Sequence, residues 1–203
     1  MEIRDGFCVN LGIGMPTLVL DFVPSDKTVF FHTENGLLGM GGFARKGEAH
    51  PDLVDAAKQP VTYVKGASFF PSDVSFAMIR GGHIDLAIMG AYQVSGNGDL
   101  ANWTAQGMMP SVGGAMDIVV GIGKIIVMMM HTTKDGRPKI VKSLTYPVTG
   151  FRCVSMIITN LCVLEVTEKG LVLKELAPGV SAKDVLACTE ADIVMPKEQK
   201  TIS

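Results

Sequence analysis

The stretch FFHTENGLLGMGG, residues 30–42, joins two apolar segments through a sharp polar turn. An Asn35-Gly36 pair marks the turn, and a single carboxylate, Glu34, stands immediately before it. If the first segment is a buried strand, Glu34 projects into the crevice at the carboxyl edge of an α/β sheet, where ligands bind. A carboxylate in a partly dry pocket is a reactive nucleophile. The alternative is that Glu34 caps the turn or pairs with a basic residue, and the spacing alone favours neither interpretation.

Apolar runs like the first segment recur along the chain and predict a sheet that is buried on both faces. Each run is nearly continuous rather than alternating, as in the strands of a parallel or mixed sheet. The runs are TVFFH at 28–32, PVTYV at 60–64, IDLAIMGA at 84–91, KIIVMMM at 124–130 and CVSMIIT at 153–159. Helical patterns lie between them: TLVLDFV after Pro16, SDVSFAMIRGG with a Ser-Asp cap, and SAKDVLACT at 181–189. Strands that alternate with helices predict an α/β fold.

The segment VLEVTEKGLVLKEL adds an antiparallel element to this sheet. Its Lys169-Gly170 pair lies between two alternating runs and predicts a hairpin. We therefore expect an open, mixed, mostly parallel sheet with flanking helices. No linker, repeat or low-complexity tract interrupts residues 1–203, which predicts a single domain. A domain of this type usually starts with an additional helix, so we expect a shortened N-terminus.

The composition predicts a cytoplasmic protein with a large core. Of 203 residues, 47% are hydrophobic and 19% are charged, which excludes intrinsic disorder. The net charge of −2 provides no electrostatic footprint for nucleic acid or an anionic membrane. The four cysteines form no CxxC pair, which indicates reduced thiols in a cytosolic protein. The chain start lacks a signal-peptide pattern, and the longest apolar stretch, interrupted by Lys124, is too short to span a bilayer.

Two glycine-containing segments are further candidates for ligand contact. In NLGIGMP, at 10–16, Gly12 and Gly14 permit a close backbone approach ahead of a helix that begins near Pro16. In SVGGAMDIVVG, at 111–121, Gly113 and Gly114 leave backbone N–H groups beside a helix start, which suits an oxyanion hole. A tight turn explains either segment equally well, and the full dinucleotide-binding fingerprint is absent.

The remaining motifs give no support to metal, triad or nucleotide chemistry. His32, His50, His83 and His131 share no metal-ligand spacing, and no cysteine–histidine cluster occurs. Neither a G-x-S-x-G nucleophile elbow nor a G-x-x-x-x-G-K-[ST] phosphate loop is present. We therefore expect no metal and no bound cofactor.

Several segments together resemble the β subunit of a family I CoA-transferase: NLGIGMP, TENGLLGMG, GASFF, IRGGHIDLAIMGAYQVSGNGDLANW and GGAMDIV. The similarity runs in order from about Asn10 to the C-terminal helix. It points to the 3-oxoacid group, whose substrates include acetoacetate, succinyl-CoA and 3-oxoadipate. The family's active-site signature is [ST]-E-N-G, with Thr33 here in place of the more usual serine. The resemblance implies a three-layer CoA-transferase domain, similar to that of sugar-phosphate isomerases.

The resemblance also implies roles for individual residues. Glu34 would attack an acyl-CoA thioester and carry first an acyl anhydride and then a glutamyl-CoA thioester, in ping-pong covalent catalysis. Gly114 and Ala115 would supply oxyanion amides, and Asn10 would donate an amide hydrogen bond beside the glutamate. Weaker expectations for contact with CoA or substrate fall on Gly12, Gly14, Asn35, Gly36, Lys58 and Gly113.

The partner implied by the family is an α subunit, commonly in an α2β2 heterotetramer, and the Met1 start favours a separate α chain. An acyl-CoA hydrolase is an alternative, because water can resolve the same glutamyl thioester. A non-catalytic ligand-sensing domain of the same fold is another. The chain has no basic helix-turn-helix segment, however, and a sensor has no need for a nucleophilic glutamate.

Overall fold

The computed structural model describes residues 2–105, 107, 109–196 and 200–202, and these form two compact units. The first unit extends to Gly90 and includes Val120–Gly123. The second unit comprises Ala91–Val119 and the chain from Lys124 onward. The single-domain organisation expected for residues 1–203 stays a prediction.

Five strands form a mixed sheet in the first unit. They are β1 (Cys8–Leu11), β2 (Phe30–Thr33), β3 (Leu37–Phe43), β4 (Val61–Phe69) and β5 (Leu86–Met89). Strand β1 pairs in parallel with β2 on one side and β5 on the other. Strand β2 turns into the antiparallel β3, which pairs with β4. The unit also holds a 3₁₀ helix, Met15–Phe22, and the helix α1, Ser72–Arg80.

The burial of the central strands of this unit confirms the apolar runs predicted for them. Two other predictions, the burial of the PVTYV run and the cap of α1, are wrong. Val9 of β1 and Leu86 of β5 are fully buried, as expected for central parallel strands. The PVTYV run, predicted to be buried, instead starts an exposed strand: Tyr63 is 59% exposed, because β4 pairs on one side only among the described strands. The predicted Ser-Asp cap of α1 is also wrong. Pro71, in an extended conformation, occupies the cap position, and no side chain caps the helix.

The second unit contains two sheets and a capped helix. Its elements are β6 (Gln93–Ser95), β7 (Leu100–Ala101), most of α2 (Ala115–Gly121), β8 (Ile125–Met128), β9 (Ile140–Val141), β10 (Val154–Ile158), β11 (Cys162–Thr167), β12 (Gly170–Leu176), α3 (Ala182–Ala187), β13 (Ile193–Val194) and β14 (Lys200–Thr201). Strand β10 pairs in parallel with β8 and antiparallel with β11, and β12 continues the sheet toward β13 and β14. The short strands β7, β6 and β9 form the separate sheet.

Two local predictions for this unit are confirmed. Strands β11 and β12 form the predicted antiparallel hairpin, with Gly170 at φ +101° where the chain re-enters the sheet. Ser181 caps α3 in a capping box: its hydroxyl accepts the Asp184 N–H, and the Asp184 carboxylate accepts the Ser181 N–H. The mixed, mostly parallel α/β class is confirmed as well. Within the described ranges, no helix combines the length and the apolar character that a membrane crossing requires.

Candidate active site

Glu34 is the first residue after β2, at the start of the turn that leads into β3. The Gly36 N–H donates to the Thr33 carbonyl at 3.1 Å and closes this turn. Gly36 has φ +112°, and a Cβ there would overlap the Phe70 carbonyl oxygen. Only glycine satisfies both conditions, so the E-N-G sequence produces a turn that carries the carboxylate out of the end of the strand.

The Glu34 carboxylate is partly buried, and no described residue compensates its charge. No described residue donates a hydrogen bond to it, and no described cation lies within salt-bridge distance. Burial raises the pKa of Glu34 above its ordinary value. Among the described residues, no basic side chain therefore pairs with Glu34. A poorly solvated carboxylate without a partner destabilises a fold, and such groups are concentrated at functional sites.

Asn10 lies on β1, beside the strand that precedes Glu34, and is fully buried. The register of β1 and β2 places Asn10 opposite His32, and the Asn10 Nδ2 lies 3.1 Å from the His32 Nδ1. The same amide nitrogen donates to the His32 carbonyl at 3.5 Å. Both donors of Asn10 are thus directed at His32, and among the described residues its Oδ1 has no partner. The donor role predicted for Asn10 requires the amide to be turned the other way.

The turn is also tied to the loop that carries Lys58. The Asn35 Nδ2 donates to the Val54 carbonyl at 2.8 Å. The next residue, Asp55, is 4% exposed, and its Oδ1 accepts the N–H groups of Ala57 and Gln59, both at 2.8 Å. This loop holds the exposed Lys58 at φ +62°, a left-handed conformation that costs a side-chain-bearing residue about 1 kcal/mol or more.

The glycines of NLGIGMP perform different tasks. Gly12 extends β1, because its N–H donates to the Ile88 carbonyl at 2.8 Å and is therefore engaged within the protein. Gly14 has φ +89° and precedes the 3₁₀ helix, where its carbonyl accepts both the N–H and the hydroxyl of Thr17. The predicted helix after Pro16 is thus confirmed as a helical segment, in the tighter 3₁₀ form.

Gly113, Gly114 and Ala115 lie in the second unit, at the start of α2. Gly113 has φ +53°, and the buried Gly114 accepts the Ile118 N–H through its carbonyl at 3.0 Å. The Ala115 N–H makes a long bond of 3.4 Å to Val112, and the Gly114 N–H has no partner in the described part of the chain. An unengaged N–H beside a weakly engaged one is suited to donate hydrogen bonds to a developing oxyanion.

Three of the four cysteines are not competing nucleophiles. Burial raises the pKa of the Cys8 thiol to about 12, with a further contribution from Asp85, and raises those of Cys153 and Cys162 to about 11. These thiols stay protonated at neutral pH, and the thiolate is the reactive form. All four cysteines are free, as predicted from their spacing.

The described residues form no metal-binding group, and the cleft of the first unit does not include Glu34. No group of three or more His, Cys, Asp or Glu side chains in the described ranges is placed to hold a metal ion. A cleft of about 490 Å³ in the first unit is lined by residues that include Glu48, His50 and Tyr63, but not by Glu34. The expectation that no cofactor is required stays a prediction.

The fold and the E-N-G turn agree with the family that the comparison with known proteins shows. The chain matches the coenzyme A transferase family over residues 1–187 and belongs to that family. This confirms the resemblance found in the sequence. The assigned roles of the individual site residues stay predictions.

Three relatives describe the similarity. The chain is 48% identical over 195 residues to one subunit of the 3-oxoadipate CoA-transferase from Acinetobacter baylyi, covering 95% of this chain and 90% of the relative. It is 47% identical over 203 residues to mouse mitochondrial succinyl-CoA:3-ketoacid coenzyme A transferase 2A, covering 98% of this chain and 39% of the relative. The apoenzyme of the Escherichia coli O157:H7 acyl-CoA transferase YdiF shares the fold, with a TM-score of 0.77 at 22% identity, over 100% of this chain and 41% of YdiF.

Three residues that support this region are not predicted by the sequence pattern. The pattern tests His32 only as a metal ligand, whereas in the structure His32 contacts Asn10 and Ser75. Ser75 lies within a predicted helix, and Asp55 belongs to no motif. The signals were weak: a histidine two residues before Glu34, and an aspartate three residues before Lys58.

Proposed function

We propose that this chain transfers CoA between an acyl-CoA and a free carboxylic acid, with Glu34 as the nucleophile. The observation that carries the proposal is the environment of Glu34. Its carboxylate is partly buried at a strand end, has no cation or hydrogen-bond donor among the described residues, and has a raised pKa. Such a carboxylate is less stabilised by solvent than a surface one and is more reactive toward a carbonyl.

The proposed reaction consists of balanced acyl exchanges. The Glu34 carboxylate attacks the thioester carbonyl, the C–S bond breaks, and an acyl–glutamyl anhydride and a CoA thiolate result. The thiolate attacks the glutamyl carbonyl, which releases the first acid as a carboxylate and leaves a glutamyl-CoA thioester. An acceptor carboxylate then reverses the two steps and regenerates Glu34. No net proton or electron is transferred, so no redox cofactor or metal is expected.

Each attack creates a tetrahedral intermediate with a negatively charged oxygen. We assign the Gly114 N–H and the Ala115 N–H to this oxygen, because the first is unengaged among the described residues and the second is weakly engaged. Gly113, whose φ is +53°, orients the two amides at the start of α2. Donors aimed at developing charge are commonly the largest single contribution to such catalysis.

For the substrates, we propose a 3-oxoacid, such as acetoacetate or 3-oxoadipate, as one of the exchanged acids. The Acinetobacter relative is named for 3-oxoadipate and the mouse relative for succinyl-CoA and a 3-ketoacid. Contacts with CoA are assigned to Lys58, whose loop is tied to the Glu34 turn through Asn35. Gly14 would let the backbone approach the substrate closely, because a Cβ there would meet no protein atom within 4 Å. Gly12 and Gly36 instead make room for Ile88 and Phe70 within the protein.

For the assembly, we propose a CoA-transferase α subunit as the partner, in an α2β2 arrangement, and no partnership with nucleic acid or membrane. The Acinetobacter relative is named as one subunit of its enzyme, which supports a partner chain here. The chain also spans only 39% of the mouse enzyme and 41% of YdiF. We expect the partner to correspond to part of the remainder. The cytoplasmic location also stays a prediction.

The test is to trap the intermediate in the purified complex of this chain with its co-expressed partner. The complex is incubated with acetoacetyl-CoA, reduced with borohydride and digested, and the peptide that contains Thr33, Glu34 and Asn35 is examined by mass spectrometry. Conversion of the Glu34 carboxyl to an alcohol is expected, since borohydride reduces a glutamyl thioester. Glu34→Gln should show neither the alcohol nor turnover, and Glu168→Gln, which alters an exposed glutamate, should behave as wild type.

Two outcomes contradict the proposal. An unmodified Glu34 in a complex that still turns over assigns the nucleophile to another residue. CoA release that proceeds at the same rate without an acceptor acid indicates a hydrolase in place of a transferase. Release should therefore be measured with and without added succinate or acetate.

A further inference from the structure

A buried hydrogen-bond chain joins β1, β2 and α1 behind the Glu34 turn. It starts at the Asn10 Nδ2, 3.1 Å from the His32 Nδ1. The other ring nitrogen, Nε2, lies 2.9 Å from the Ser75 hydroxyl, and this hydroxyl donates to the Thr33 carbonyl at 3.3 Å. Asn10, His32 and Ser75 are all 0% exposed. This series of hydrogen bonds therefore ends on the peptide group that joins Thr33 to Glu34.

The direction in which the protons are donated along these hydrogen bonds follows from the groups at the two ends. The Asn10 Nδ2 is only a donor, so the His32 Nδ1 accepts and carries no proton. The proton of the neutral ring is therefore on Nε2 and is donated to the Ser75 oxygen. The Ser75 hydrogen remains for the Thr33 carbonyl, which can only accept. Each member thus donates to the next, and burial, which lowers the pKa of His32 to about 4, keeps the ring neutral.

The hydrogen-bond chain has two consequences for the site. First, it orients the Asn10 amide: with Nδ2 directed at His32, the buried Oδ1 is left without a partner among the described residues. Second, it restrains the Glu34 turn, because the Thr33 carbonyl accepts both the Ser75 hydroxyl and the Gly36 N–H. The reverse proton arrangement on His32 would turn the Asn10 amide around and leave the Thr33 carbonyl without the Ser75 donor.

We propose that His32 and Ser75 are positioning residues for the CoA-transfer reaction. They fix the orientation of the buried Asn10 amide, and they hold the Thr33–Glu34 peptide at the attacking position. This inference rests on the proposed function of Glu34. Neither side chain needs to touch the substrate, because both act through Asn10 and through the backbone of the turn.

The first test reads the proton position directly and does not depend on activity. The complex is prepared with ¹⁵N-labelled histidine, and the His32 resonances are identified by their absence from the spectrum of His32→Gln. At neutral pH we expect a neutral ring with the proton on Nε2. Ser75→Ala removes the acceptor of that proton and should shift the His32 Nε2 resonance. A proton on Nδ1 in the wild-type protein overturns the inference.

The second test separates positioning from folding. Glutamine at position 32 offers an oxygen acceptor and an N–H donor in place of the two ring nitrogens, whereas leucine offers neither. Loss of one hydrogen bond used in positioning corresponds to about a tenfold change in rate. In single-turnover formation of the Glu34 thioester, we expect Ser75→Ala and His32→Leu to be slowed about tenfold or more, with the KM for acyl-CoA little changed. His32→Gln should recover most of the rate.

The matched control is Ser72→Ala, because Ser72 lies on the same helix, is exposed and makes no side-chain hydrogen bond within the described chain. It should react at the wild-type rate. Wild-type rates in Ser75→Ala, or equal losses in His32→Gln and His32→Leu, refute the positioning role. If the wild-type complex itself forms no Glu34 thioester, the proposed function fails instead, while the ¹⁵N spectrum still decides the orientation of the chain.

Discussion

Acidification should destabilise the second unit through His131, which is wholly buried there. Its Nδ1 lies 2.9 Å from the Thr159 hydroxyl, and its Nε2 lies 2.8 Å from the Thr189 hydroxyl. Burial lowers the pKa of His131 from 6.5 to about 4. The unfolded chain therefore binds a proton at a higher pH than the folded one. The stability that depends on neutral His131 is complete above pH 6.5 and is lost as the pH falls toward 4.

The size of this effect follows from the two pKa values. At about 1.4 kcal/mol for each pH unit, a fall from 6.5 to about 4 corresponds to about 3 kcal/mol. Most of it, about 2 kcal/mol, develops between about pH 7 and about pH 4.5. A domain is usually stable by only about 5–15 kcal/mol, so this loss is readily measurable.

The assay is urea unfolding across this pH range, for the wild-type protein, His131→Gln and His83→Gln. His131→Gln removes the titrating group, so its free energy of unfolding should fall with acid by about 2 kcal/mol less than that of the wild type. His83 is exposed, and its replacement should leave the pH dependence unchanged. An identical pH dependence in His131→Gln and the wild type would refute the argument.

Three further predictions concern the site. Glu34→Gln should abolish turnover yet raise the thermal unfolding temperature at neutral pH, because an uncompensated buried charge is removed; an unchanged or lower temperature contradicts this. Gly36→Ala should lower the free energy of unfolding in urea by about 2 kcal/mol or more, since φ is +112° and its Cβ would overlap Phe70; wild-type stability would exclude this geometry. Asp55→Ala should release the loop that holds Lys58 in its left-handed conformation, and steady-state kinetics should show the KM for acyl-CoA raised more than kcat is lowered. A larger change in kcat than in KM would count against a role of this loop in CoA binding.

Local features of this protein were determined by the sequence itself. The turn at Asn35-Gly36, the hairpin before Gly170 and the capping box of Ser181 depend on residues within a few positions of one another. Their backbone conformations and hydrogen bonds are set by neighbouring side chains, so local patterns predicted them. The central strands were also predictable, because nearly continuous apolar runs require burial on both faces.

Only the tertiary structure decided which distant groups meet. Asn10 reaches His32 across 22 positions, and Ser75 reaches it across 43, through the strand register and the packing of α1. The same long-range packing makes β4 an exposed edge strand and leaves Glu34 partly buried without a partner in the part of the chain that the structure describes. Burial and register are properties of the whole fold, because they depend on which segments cover one another. The sequence therefore determined where the carboxylate lies in the chain, and the tertiary structure determined its solvation and the hydrogen-bond chain that restrains its turn.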